Sequence, residues 1–173
     1  MADGFPSSLA RRQLAPIGSV SSALGHAGVD YWLFGGWAVD FCAARVTRDH
    51  DDVDFVVWQK DHAIIDAVLT DGGWEHTAVE NDVIGAGYTA NGVLLELTLV
   101  VSDESGAVVL PLPDGPFVWA TQPFAGERRA LAGVASTTLP LSLLAAGKST
   151  PRDDPADAAR DRADFQALSQ VGD

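Results

Sequence analysis

The chain has 173 residues and a mass of 18.2 kDa, room for one hydrophobic core and little more, which excludes a repeat array or a large multidomain enzyme. Apolar residues make up 47% and charged residues 20%, an ordinary globular balance that excludes intrinsic disorder. With 11 Lys and Arg against 24 Asp and Glu the net charge is −13, which argues against nucleic-acid binding through counterion release; it suits solubility or long-range attraction of a cationic small molecule.

Cys42 is the only cysteine, so an intramolecular disulfide and a Cys-rich zinc site are both excluded and a reducing setting is expected. No stretch is apolar for long enough to be a signal peptide, or for the roughly 20 residues that span a bilayer. A cytoplasmic protein that does not engage membranes is therefore expected. Oligomeric state is not readable.

Residues 1–16 include Gly4, Pro6, Ser7 and Ser8 without a sustained apolar period, and are expected to form a flexible lead-in, with order beginning near Ile17. Ile17, Val20, Leu24 and Ala27 then recur at helical spacing up to Gly28, a helix stop. Tyr31 to Phe34 reads as a buried strand running into a Gly35-Gly36 turn, Trp37 to Ala44 as a helix, and Val53 to Trp58 as a second strand. Asp61 to Thr70 suits an amphipathic helix ended by Gly72-Gly73. Strands follow over Trp74 to Val79, Ile84 to Thr89 and Val93 to Val101, with Asn91-Gly92 as a hairpin turn between the last two. Ser102 to Val134 is dense in Gly and Pro and reads as loops and short strands, at Val108 to Leu110 and Phe117 to Trp119, that shape a pocket. Pro140 to Ala146 is a helix with Pro in its first turn, Lys148 to Pro155 a polar link, and Asp157 to Leu168 a final helix with Ala158, Asp161, Phe165 and Leu168 at helical intervals.

The chemistry concentrates between Gly35 and Val57. Side chains alternate on a strand, so Asp52 and Asp54 share one face while Val53 and Phe55 point into the core. Two carboxylates held that close repel unless a cation, a proton or solvent relieves them. Mg²⁺, which prefers oxygen ligands and is commonly held by carboxylates plus substrate phosphates, is the natural relief. A pair of such ions about 3.5 to 4 Å apart serves in-line phosphoryl displacement. An isolated Asp-x-Asp is usually only a solvated strand end. Here, however, a glycine turn opens the preceding helix, where unsatisfied amides and the macrodipole bind phosphate and the absent Cβ atoms of Gly35 and Gly36 permit close approach. Glu96 sits within the apolar run Val93 to Val100, where a lone charge is expensive. It is either an outward-facing acid on a one-sided sheet or, if its strand lies beside Asp52 and Asp54, a metal ligand or the acceptor of a proton from an attacking hydroxyl.

Gly35-Gly36-Trp37-Ala38-Val39-Asp40, followed by Arg45-Val46-Thr47-Arg48-Asp49-His50-Asp51-Asp52-Val53-Asp54, resembles the antibiotic nucleotidyltransferases of the polymerase-β-like superfamily. Within it, the block is most similar to the aminoglycoside 2''-nucleotidyltransferase and lincosamide nucleotidyltransferase group. The resemblance implies an α/β (α+β) fold, a mixed sheet flanked by helices, with residues 17–173 forming a single nucleotidyltransferase domain. It also implies Mg²⁺-dependent transfer of a nucleoside monophosphate from a nucleoside triphosphate to a hydroxyl of a cationic aminoglycoside or lincosamide, adenylyltransferase-like and conferring resistance. Asp52 and Asp54 match the metal-binding pair, and Glu96 falls where relatives carry a third acid, usually Asp. Gly35-Gly36 replaces a commoner Gly-Ser, so a serine hydroxyl contact to phosphate is missing and backbone amides serve instead. Ala159 to Asp164 is similar to an Arg/Lys-Asp-x-x-Asp helix of many relatives, with Lys148 upstream as a phosphate contact.

Arg45 and Arg48 flank the acidic block and either bind triphosphate oxygens or brace the loop. His50 is expected to be structural, and Asp40 to fix the loop through hydrogen bonds. Trp37, Tyr88, Trp119 and Phe124 are core aromatics or stacking platforms. Rival readings are a nucleotidyltransferase acting on a protein, tRNA or metabolite, and a degenerate nucleotide-binding module.

Overall fold

Helix α1 (Ser8–His26) is capped by Ser7, whose Oγ accepts a hydrogen bond from the Ala10 amide at 3.0 Å, in a computed structural model that describes residues 7–171. The helix therefore starts nine residues before the expected Ile17. Ala10, Leu14, Ile17, Val20 and Leu24 form one buried stripe. Pro16 lies inside it, where a missing N–H and a fixed φ normally break helices. Of the expected lead-in, residues 1–6 lie outside the described residues.

Strand β1 (Tyr31–Phe34) leads directly into α2 (Gly35–Ala43), so the glycine turn is itself the first turn of the helix. Gly35 supplies the left-handed backbone this needs, with φ +65°. Strand β2 (Val53–Trp58) is followed by a 3-10 turn over Gln59–Asp61 and by α3 (His62–Asp71). Strands β3 (Glu75–Thr77), β4 (Gly85–Ala90) and β5 (Val93–Ser102) come next. Asn91 and Gly92 both have positive φ, as a two-residue hairpin turn requires.

Strands β6 (Val108–Leu110) and β7 (Phe117–Ala120) form a small antiparallel extension from the end of β5. The expectation of loops and short strands through Val134 misses a hairpin of the main sheet, β8 (Glu127–Leu131) and β9 (Val134–Thr138). Its sequence is too polar to show a strand period, and its turn is Ala132-Gly133, in which Ala132 takes φ +49° against its usual preference. The main sheet runs β3-β4-β5-β2-β1-β9-β8. β2 lies parallel to β5 and β9 parallel to β1, while the other neighbours are antiparallel, giving the expected mixed sheet. Leu33, Phe55, Leu95 and Leu97 bury its centre.

Helices α4 (Leu141–Ser149) and α5 (Pro155–Ser169) close the chain. Asp154 caps α5 by accepting from the Ala156 and Asp157 amides, with Pro155 in the first turn. Of the expected stripe of α5, Asp161 and Leu168 are buried but Phe165 is 44% exposed, and Asp164 and Ala167 are buried in its place. No described helix is long and apolar enough to cross a membrane.

Candidate active site

Two strand registers assemble the acids. The parallel pairing of β2 with β5 sets Asp54 opposite Glu96, and the antiparallel pairing of β1 with β2 sets Phe34, the residue before the glycine turn, opposite Asp54. Carboxylate oxygens of Asp52, Asp54 and Glu96 consequently lie within 4.8 Å of one another. Burial pushes Asp54 up to about 8, with the charges of Asp52 and Glu96 adding to the effect. Asp52 is raised by burial and by Asp51, and Glu96 by burial, Asp52 and Glu80. Three acids that all resist ionisation together form a site short of positive charge. Three oxygens at this spacing fit a hard divalent cation such as Mg²⁺.

The glycines are required by close packing. A Cβ on Gly35 would collide with Asp54 Oδ2, and one on Gly36 with the His50 ring and Arg48 Nη2. This explains why Gly-Gly stands where a Gly-Ser is common: the space of the second side chain is already filled by His50. The His50 ring is buried, donates from Nε2 to Asp40 Oδ2 at 2.6 Å, and its backbone carbonyl accepts from Gln13 Nε2 at 3.0 Å. Gln13 Oε1 in turn accepts from Trp37 Nε1 at 3.1 Å. Asp40 also accepts from the amide and the hydroxyl of Thr47. Asp40 and His50 are thus the loop-fixing residues anticipated, and the α2 N-terminus is held against the acids.

A basic wall from α4 and α5 faces this acidic floor across a cavity of about 300 Å³. Lys148 Nζ lies 3.0 Å from Asp161 Oδ1 and 2.9 Å from Asp164 Oδ2, and still lines the cavity. Arg48 also lines it while donating from Nε and Nη2 to the two oxygens of Asp164, each at 3.0 Å. Burial would raise Asp164, but these hydrogen bonds prevail and hold it below the usual carboxylate range. Arg45 does not join the site: it does not line the cavity, and its Nη2 donates to Gln170 Oε1 at 3.1 Å.

One cavity-lining cation, Arg152, escaped the sequence reading, while Arg160 falls at the Arg/Lys position of the Arg/Lys-Asp-x-x-Asp helix. Arg152 pairs with Asp161 at 2.9 Å, and Arg160 with Asp51 at 3.3 Å. The available signal was the acidic pair at positions 161 and 164 on a helix, since buried acids must be paired with cations. Trp37, Tyr88 and Phe124 are core residues, whereas Trp119 is only partly buried.

The family model for aminoglycoside-2''-adenylyltransferases matches residues 17–138. No curated protein matches the chain by sequence. The solved structure of the lincosamide antibiotic adenylyltransferase LnuA, lincomycin-bound, is similar at 17% identity over 89% of this chain and 94% of that one, with a TM-score of 0.69. ANT(2'')-Ia in complex with adenylyl-2''-tobramycin is similar at 20% identity over 93% of this chain and 90% of that one, TM-score 0.65. A putative nucleotidyltransferase from Thermotoga maritima follows at 12% identity, 79% and 83% coverage and TM-score 0.56. These likenesses establish the nucleotidyltransferase fold, and the family match spans the glycine turn, Asp52, Asp54 and Glu96 alike. The chain is therefore a nucleotidyltransferase and belongs to the aminoglycoside-2''-adenylyltransferase family.

Proposed function

We propose that the protein transfers a nucleoside monophosphate from a nucleoside triphosphate to a hydroxyl of an aminoglycoside or lincosamide antibiotic, with Mg²⁺. The observation that carries this reading is the convergence of Asp52, Asp54 and Glu96 beside the N-terminus of α2, opposite Lys148, Arg152 and Arg160. In it, the amides of Gly35 and Gly36 and the cations of the α4–α5 wall bind the triphosphate, with Lys148 and Arg48 held in place by Asp164. Asp52, Asp54 and Glu96 would hold the divalent cation, which when bound supplies charge neutralisation at the phosphates. The acceptor oxygen attacks the α-phosphorus as the bond to pyrophosphate breaks, and the hydroxyl proton passes to Glu96. The reach of the Glu96 carboxylate into the acidic cluster supports this role. Most of the rate enhancement comes from positioning and charge neutralisation.

A pyrophosphate-release screen across antibiotics, with and without Mg²⁺, followed by mass spectrometry of the product, tests the reading. Added mass of one nucleotide on a drug is expected. Asp52→Asn and Asp54→Asn should each lower turnover about a thousandfold or more with the melting transition retained. Near-normal turnover in either variant rejects the metal assignment. No release with any antibiotic rejects the acceptor class.

A further inference from the structure

Glu96 and Thr98 stand on the same side of β5, and beyond Glu96 this face opens into a second cavity of about 760 Å³. That cavity shares Phe34, Arg152 and Asp157 with the catalytic one, so a molecule filling it reaches the acids. One wall is apolar, built from Leu110 of β6, Phe117 and Trp119 of β7, and Leu143 of α4. Phe117 is 54% exposed, an aromatic surface that is left largely uncovered among the described residues. Trp119 is preset, held edge-on against Phe34 and Phe124 at centroid distances of 5.2 and 5.5 Å.

The cavity is also lined by the α4–α5 link and the first turn of α5, which together carry three acids, Asp153, Asp154 and Asp157. Two of them are committed. Asp154 caps α5, and Asp157 pairs with Arg152 and Arg160. Asp153 has no hydrogen-bond or ion-pair partner among the described residues. Glu80, close enough to raise Glu96, does not line this cavity. A polycation that is polar all round would leave the Phe117–Trp119 wall wet and find one free carboxylate for several ammonium groups.

We infer that this cavity is the acceptor site and that it selects an amphipathic monocation. The hydroxylated sugar faces Glu96, an apolar arm lies on Phe117 and Trp119, and a single ammonium pairs with Asp153. The acceptor class is then lincosamide-type rather than a polycationic aminoglycoside. The inference rests on the nucleotidyl-transfer reading and narrows it.

Lincomycin, with one tertiary amine and an alkyl-substituted ring, and tobramycin, with several amines and no apolar arm, separate the two classes. Pyrophosphate release is measured with each, alongside calorimetric binding. Lincomycin is expected to show a kcat/KM at least about tenfold above that of tobramycin. Phe117→Ala and Asp153→Asn, both at exposed positions, should each raise the lincomycin KM about tenfold, change kcat less than about threefold, and leave the affinity for Mg²⁺–ATP unchanged. Equal or better turnover of tobramycin, or an unaltered lincomycin KM in both variants, overturns the inference and leaves nucleotidyl transfer standing. Release with neither drug overturns the transfer reading instead. Calorimetry then decides the cavity by itself: lincomycin binding weakened by Phe117→Ala upholds it, and absence of binding ends it.

Discussion

Asp54 sits where its charge is hardest to keep. Its folded-state pKa lies near 8 against an ordinary 3.8, so its contribution to stability is complete below about pH 4 and is lost as pH rises towards 8. The metal-free protein should therefore weaken across that window, and a bound divalent cation should restore what ionisation removes. Melting curves with and without Mg²⁺ are expected to separate more at pH 8 than at pH 5, and Asp54→Asn should abolish the difference. A separation independent of pH would contradict the assignment. Asp52 and Asp54 were legible in the sequence because strand alternation alone puts them on one face. The arginines were not, because a long side chain takes whichever partner the fold delivers. Arg48 finds Asp164, and Arg45 turns away to Gln170.

Two helices at opposite ends of the chain brace this site. Gln13 of α1 joins the His50 carbonyl to the Trp37 indole, so residues that read as a lead-in position the loop before the acids. Leu14 is 6% exposed in the α1 stripe, and Leu14→Ala should cost about 2 to 4 kcal/mol in denaturant unfolding; a neutral effect would return the segment to a lead-in. From the other end, Asp164 of α5 is 1% exposed and holds both Arg48 and Lys148. Asp164→Asn should cost about 2 to 4 kcal/mol and raise the KM for nucleotide about tenfold, with a smaller effect on the acceptor KM. The folded-state pKa of Asp164 is depressed, so the wild-type advantage should hold above about pH 4 and fade as pH falls below it. An advantage that persists at pH 2 would rule out this origin. The existence of both helices was readable from apolar spacing, but the polar burial of α5 was not, since Asp161 and Asp164 look like ordinary surface acids until Lys148, Arg48 and Arg152 meet them.

At the scale of the whole molecule the net charge is −13, while Arg48, Lys148, Arg152 and Arg160 line the catalytic cavity, so the proposed cationic acceptor and anionic nucleotide would meet opposite fields. Cationic acceptors should be drawn in and their capture weakened by salt: kcat/KM for lincomycin should fall about two- to fivefold between low salt and about 0.5 M, with kcat steady. A flat salt response would assign the charge to solubility alone. The elements as far as β7, the glycine turn and the paired aspartates were determined by the sequence itself, because helical and strand periods and turn chemistry are short-range properties, whereas the mixed sheet was implied by the family resemblance. The meeting of Glu96 with Asp54, the β8–β9 hairpin closing beside β1, the clamp of α5 on Arg48 and Lys148, and the aromatic cavity next to Glu96 were decided only by tertiary structure. Each of these depends on which distant segment becomes a neighbour, and that choice is made by packing the whole core at once.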